Sequence, residues 1–285
     1  MKAFGQLVKA LALSAFLWLN LSGLALAQPP ARIISLAPNV TEVLYKLGLG
    51  DRVVGVSTYC NFPPEVKTKP KIGGMSDPSL EAIVALKPDM VVLTDDGNPR
   101  MIAERLAKLN IPTYVFRAKR IADLPHEIRK LGTALRVKER ADRLAGKIAS
   151  DIQCYKERKT LPQTAPSRKV LFVVQPEPLM VAGPQTAIDD VLNILGLQNI
   201  AADAPAGYPR FSLEEAIRRS PDMIFMVKTQ SGMTDQVEPL LERLKTLDAV
   251  RKGRVYYVSD PLLRMGPRIT EGIKEIARHL DRGGY

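Results

Sequence analysis

The sequence predicts an α/β protein: two Rossmann-like lobes joined by one long rigid helix, with a ligand cleft between them. Three observations carry this. Apolar, β-rich runs alternate with helical patterns over residues 32–117 and again after Arg168. Between these stretches one helical periodicity runs from Asp123 to Lys159. A block also recurs: "SLEAIVALKPDM" starts at Ser79 and "SLEEAIRRSPDM" at Ser212, and Pro88 and Pro221 keep the same 133-residue interval. Alternating strands and helices imply mostly parallel sheets covered on both faces.

The first 27 residues stand apart. Lys2 and Lys9 precede an apolar run that ends in Ala25-Leu26-Ala27, followed by Gln28 and two prolines. This is the pattern of a cleavable secretory signal, so the mature chain is expected to be periplasmic. No cysteine lies near the cleavage site, which argues against a lipid anchor.

The N-terminal lobe is expected over 28–122. "RIISLA" from Arg32, "VVGVS" from Val53, "MVVLT" from Met90 and "TYVFR" from Thr113 read as strands. "TEVLYKLGLG" reads as a helix ending near Gly48. Ser79 is the expected N-cap of the first repeated helix, and Pro88 marks its end. Over 123–159, Leu124, Ile128, Leu131, Leu135, Ala141, Leu144, Ile148 and Ile152 fall at helical spacings. Asp123 and Pro125 suit its first turn. At 1.5 Å per residue a helix of that length spans roughly 50 Å, enough to run from one body to another. Gly132 offers a break, and two helices are the competing reading. Strand and helix patterns resume in the C-terminal lobe, 160–285: "KVLFVV", "TAIDDVLNILGL", "SLEEAIRRS", "MIFMV", "RVYYVS" and a closing "GPRITEGIKEIARHL".

Composition narrows the function. The net charge is +11, or +9 without Lys2 and Lys9, but the basic residues are scattered and export argues against nucleic acid. "GLGDR" at 48–52 follows a helix and lacks the third glycine of a dinucleotide fingerprint. No P-loop and no G-x-S-x-G is present, so no enzyme is expected. His126 and His279 are too few for a zinc or manganese receptor and read as solvated helix positions. Cys60 and Cys154 lack metal or redox spacing, and their pairing stays open. In open α/β sheets ligands bind beyond the carboxyl ends of the strands. The loops at 37–39, 58–64, 73–75, 94–98, 175–179 and 259–266 should therefore face the cleft, with 206–211 close by.

"RIISLAPNVTEVLYKLGLGDRVVGVSTYCNFPPEVKTKPKIGG" and the two S-L-E…P-D-M blocks resemble the periplasmic cobalamin-binding proteins of ABC importers. These belong to a helical-backbone class that also contains haem and ferric-siderophore receptors. The resemblance spans nearly the whole mature chain. It implies a corrinoid, cobalamin or a precursor, captured between the lobes and delivered to a permease dimer by a carrier that is monomeric when free. No bound cofactor or metal is implied, since the corrinoid is cargo. By position it implies ligand contacts at Tyr59, Tyr208 and Arg264. Two aromatic positions of the cobalamin pocket fall on Met75 and Thr94, a departure that leaves room for another corrinoid or chelate. Haem, through Tyr59 as an iron ligand, and a ferric siderophore, through basic side chains, are the competing ligands. Flat rings suit a macrocycle, and an arginine fork suits its amide or phosphate rim. The resemblance also implies one docking glutamate per lobe, Glu81 and Glu214, engaging permease arginines. Each equally suits the first turn of its helix, where negative charge complements the dipole.

Overall fold

A computed structural model describes residues 30–157, 167–228 and 234–282. The expected leader and the tail of the expected linking helix, 158–159, lie outside the described residues.

In the N-terminal lobe four parallel strands stand in the order β2-β1-β3-β4. They are β1 (Ile33–Ser35), β2 (Val53–Val56), β3 (Met90–Thr94) and β4 (Thr113–Phe116). Helices α1 (Pro38–Lys46), α2 (Leu80–Ala85) and α3 (Arg100–Lys108) connect them. All of β1 is buried, as a strand covered on both faces requires. The C-terminal lobe repeats the plan. There β5 (Lys169–Gln175), β8 (Met223–Val227) and β9 (Val255–Val258) are parallel neighbours. The short β6 (Met180–Val181) and β7 (Gln198–Asn199) both pair with β5. Its helices are α6 (Ala187–Ile194), α7 (Leu213–Arg219), α8 (Thr234–Arg243), α9 (Asp248–Arg251) and α10 (Ile269–Arg282), the last matching the expected closing helix.

The recurring block does the same work in both lobes. Ser79 Oγ accepts from Ala82 N at 3.1 Å, and Ser212 Oγ accepts from Glu215 N at 3.0 Å, so each serine caps its helix. The Asp of Pro-Asp-Met ties the next strand to the lobe's first one. Asp89 accepts from the backbone N–H groups of Ala31 and Arg32, both at 2.9 Å, and Asp222 accepts from Lys169 N at 2.8 Å. The methionines then pair equivalently, Met90 with Ile33 and Met223 with Val170. The Leu-Gly-Leu echo is also structural. Gly48 (φ 68°) and Gly196 (φ 72°) adopt the left-handed conformation that ends a helix without a Cβ penalty.

The expected single helix over 123–159 is two helices, α4 (Leu124–Ala134) and α5 (Lys138–Glu157). Arg136 takes a left-handed φ of 58°, and Val137 N donates to Gly132 O at 2.8 Å, closing a turn. In a continuous helix residues 132 and 141 would lie about 13.5 Å apart along the axis. Here a Cβ placed on Gly132 would fall 2.0 Å from the Ala141 Cβ, so α5 packs closely beside α4. The apolar spacing runs in phase through the turn, which is why the sequence reads as one helix. The pair still bridges the lobes. Helix α4 packs on β4, while α5 packs on α6 and α10. One buried cluster runs from Ile33 through Leu131, Ala141 and Ile152 to Leu280, so both lobes share a core through these helices.

Candidate functional site

Between the lobes lies an open cleft of about 630 Å3. One wall holds Asp95 and Asp96 beyond the end of β3 and Lys119 beyond the end of β4. The facing wall holds Gln185, Tyr208 and Met265. This is where parallel sheets present their ligands. Asn98 shapes the first wall. Its side chain accepts from Thr94 N at 2.9 Å and donates to Met75 O at 2.8 Å and Leu36 O at 3.3 Å, lacing three loops together. On the opposite wall the Tyr208 loop is pinned by backbone bonds, Gly183 N to Gly207 O and Gly207 N to Pro184 O.

The expected site residues divide. Tyr208 lines the cleft with 38% of its surface exposed. Burial first, and the Asp96 charge second, raise its hydroxyl pKa, and Asp96 lines the same cleft. Tyr59 is 61% exposed, in the loop after β2 and against Gly74. Thr94, by contrast, is buried beneath its loop, its Oγ1 accepting from Asp96 N at 3.3 Å. Met75 packs on the core, close to Gly97. Thr94 is thus closed off beneath its loop, while Met75 is half-buried against the core. Thr94 closes β3 and Met75 lies in the loop before α2; Asn98 ties both to its own loop, which no local pattern encodes.

Arg264 also differs from expectation. Its side chain is 17% exposed and committed to protein groups: Glu42 at 3.1 Å, Asp260 at 2.9 Å and Asn61 at 2.9 Å. Arg268 reaches the same Glu42 at 3.5 Å and lies 3.9 Å from the centre of the Phe62 ring. Glu42 and Asn61 belong to the N-terminal lobe, the arginines to the C-terminal lobe. Arg264 is thus one half of a clamp between lobes. A second tie joins Arg120 to Asp190 through a bidentate pair, with Ile121 N donating to Asp190 Oδ2 at 2.8 Å.

Glu42 is almost wholly buried, and its Oε2 has no hydrogen-bond partner among the described residues. Burial raises its pKa, outweighing the lowering by Arg268 and Arg264. The folded state therefore holds this proton more tightly than the unfolded chain. Its contribution to stability is fully present below 4.5 and is lost as pH rises through the raised value. Glu42→Gln keeps the shape and removes the titration. Urea melts across pH should show wild type losing stability relative to Glu42→Gln as pH rises above 4.5. A parallel pH dependence in both proteins would refute the assignment.

Both cysteines are free, Cys60 buried and Cys154 exposed. Thr41 Oγ1 donates to Cys60 Sγ at 3.1 Å. His126 is exposed, as expected for a helix face. His279 instead packs its ring 4.8 Å from Tyr256. The described residues contain no group of three or more metal-ligating side chains.

The sequence profile of the periplasmic binding proteins matches residues 33–262, which spans the N-terminal lobe, the bridging helices and all strands of the C-terminal lobe. The chain is a member of the periplasmic binding protein family. Among its relatives, the vitamin B12-binding protein of Pectobacterium carotovorum subsp. carotovorum (strain PC1) is 31% identical over 251 residues, 88% of either chain. A Bacillus subtilis (strain 168) protein described as an uncharacterized ABC transporter substrate-binding lipoprotein is 31% identical over 257 residues, 88% of this chain and 80% of that one. Among solved structures, the apo periplasmic haem-binding protein from Roseiflexus sp. RS-1 superposes with a TM-score of 0.79 at 27% identity, covering 89% of this chain and 99% of that one. The periplasmic vitamin B12-binding protein of Vibrio cholerae shares the fold, with a TM-score of 0.74 at 24% identity over 89% and 98% of the two chains. This periplasmic binding protein therefore has the two-lobed α/β architecture of that group.

Proposed function

We propose that this periplasmic binding protein captures a corrinoid, cobalamin or a related precursor, and hands it to the permease of an ABC importer. The observation that carries the reading is its 31% identity, across 88% of both chains, to a protein named for vitamin B12 binding. The cleft supports it. An opening of about 630 Å3 between the lobes accepts part of a flat macrocycle and leaves its substituents at the mouth. The ring of Tyr208 lies in the cleft lining, and the exposed ring of Tyr59, in the loop after β2, is the second aromatic surface this reading assigns to the ligand. The corrinoid is cargo here, not a cofactor. The likeness to the Roseiflexus haem-binding structure favours haem as the second reading.

Calorimetry with cyanocobalamin, dicyanocobinamide and hemin separates the two. The corrinoid reading predicts binding of at least one corrinoid more tightly than hemin. Hemin binding with neither corrinoid bound would reject it. Replacing Tyr59 and Tyr208 together with Ala is expected to weaken corrinoid binding by about 1–3 kcal/mol, because stacking area is lost and no buried polar group is orphaned. An unchanged affinity would remove both rings from the contact.

A further inference from the structure

The cleft lining holds two carboxylates, Asp95 and Asp96, and two cations, Lys119 and Arg120, and these are not equally engaged. The chain as a whole is strongly basic, at +11, yet acids face the opening. Asp95 and Asp96 line the cleft, with Lys119 beside them. Lys119 is a weak counterweight: its side chain is 76% exposed and its ammonium stands 3.9 Å from Asp95. Arg120, the other cation on the wall, is taken up by its bidentate pair with Asp190. Arg264, the cation expected at the rim, is held in the clamp with Glu42, Asp260 and Asn61. The Asp96 carboxylate has no ion pair among the described residues, and its charge reaches across to the Tyr208 hydroxyl. Of the two cations in the cleft lining, Lys119 is the one not held in a bidentate pair.

Resting on the corrinoid reading, we propose that Asp96, backed by Asp95, sets ligand selectivity as an anion barrier within the cleft. A macrocycle edged with carboxylates is disfavoured, and one edged with carboxamides is accepted. Specificity of this kind comes from repulsion of the wrong ligand as much as from attraction to the right one. A corrinoid rim of neutral amides offers N–H donors that a carboxylate accepts. Haem offers two propionates, each a like charge facing Asp96 in a partly desolvated space where screening is weak. The basic outer surface draws anions of all kinds toward the protein, so the discrimination falls to the cleft wall.

Asp96→Asn is nearly isosteric and breaks no side-chain bond described for Asp96, so its melting temperature should match wild type. Calorimetry with hemin, hemin dimethyl ester and dicyanocobinamide on both proteins tests the barrier. The expected result is a gain in hemin affinity of about fivefold or more in Asp96→Asn, with the uncharged ester changed by less than about twofold. Equal hemin affinity in both proteins, or hemin binding to neither, would overturn the proposal. So would a matching gain for the ester, since the effect would then be steric. If dicyanocobinamide fails to bind while hemin alone responds to the substitution, the corrinoid reading falls and the anion barrier stands.

Discussion

Charge reversal at both Glu81 and Glu214 is expected to cut uptake by more than about tenfold while leaving corrinoid affinity unchanged, because like charges brought together at an interface are strongly disfavoured. Both residues are exposed, each in the first turn of its serine-capped helix. Ser79 Oγ donates to Glu81 at 3.1 Å. Bonding to the carboxylate from its own backbone N–H and then from Ser79 holds the Glu81 pKa below the ordinary glutamate value. Glu214 has no ion pair among the described residues, whereas its neighbour Glu215 is occupied by Arg218 and Arg219. Helices α2 and α7 each turn directly into a parallel strand, β3 and β8, so their N-termini lie at the strand ends where the cleft opens. One free acid per lobe at that end suits a two-fold permease with one basic patch per subunit. Uptake into liposomes containing the host's own permease, at two salt concentrations, measures the effect. Single Ala substitutions should give intermediate losses that shrink at high salt. Full uptake by Glu81→Arg/Glu214→Arg would leave these glutamates with only their helix-end role.

Two glycines of the bridging helices are expected to respond to alanine with opposite signs. In an open helix interior, Gly→Ala gains up to about 1 kcal/mol. Gly146, within α5, is open: an added Cβ meets nothing within 4 Å. Gly146→Ala should therefore stabilise the protein by roughly 0.5–1 kcal/mol. Gly132 sits where α4 meets α5, and its added Cβ would lie 2.0 Å from the Ala141 Cβ. Ala141 is fully buried in the shared core and has no rotamer through which to yield, so the helices must separate. Overpacking of this kind costs about 1–3 kcal/mol and occasionally more, which outweighs the propensity gain. Gly132→Ala should lose about 2 kcal/mol net, and Gly132→Val more. Urea melts at constant m-value decide. A Gly132→Ala protein as stable as Gly146→Ala would show that the helices do not meet at this point.

Much of the architecture was legible because its signals are local. Strand and helix identities follow from the spacing of apolar residues, and the two-lobed plan from a repeated block. That block proved to be the same helix cap and the same Asp-to-strand tie used twice. Tyr208 was legible through the family resemblance, which placed an aromatic contact just before the second S-L-E helix, and it does line the cleft. The tertiary structure decided the rest, wherever the answer depends on residues distant in the chain. A left-handed Arg136 turns one apparent helix into two without disturbing its apolar period. Glu42 and Arg264, 222 positions apart, meet in a clamp that withdraws the arginine from the cleft. Asn98 buries Thr94 and positions Met75 by reaching three loops. Periodicity and capping are set by neighbours within a turn or two. Burial, charge pairing and the polarity of a cleft are set by what the fold brings opposite, and that is fixed only when the two lobes close on one core.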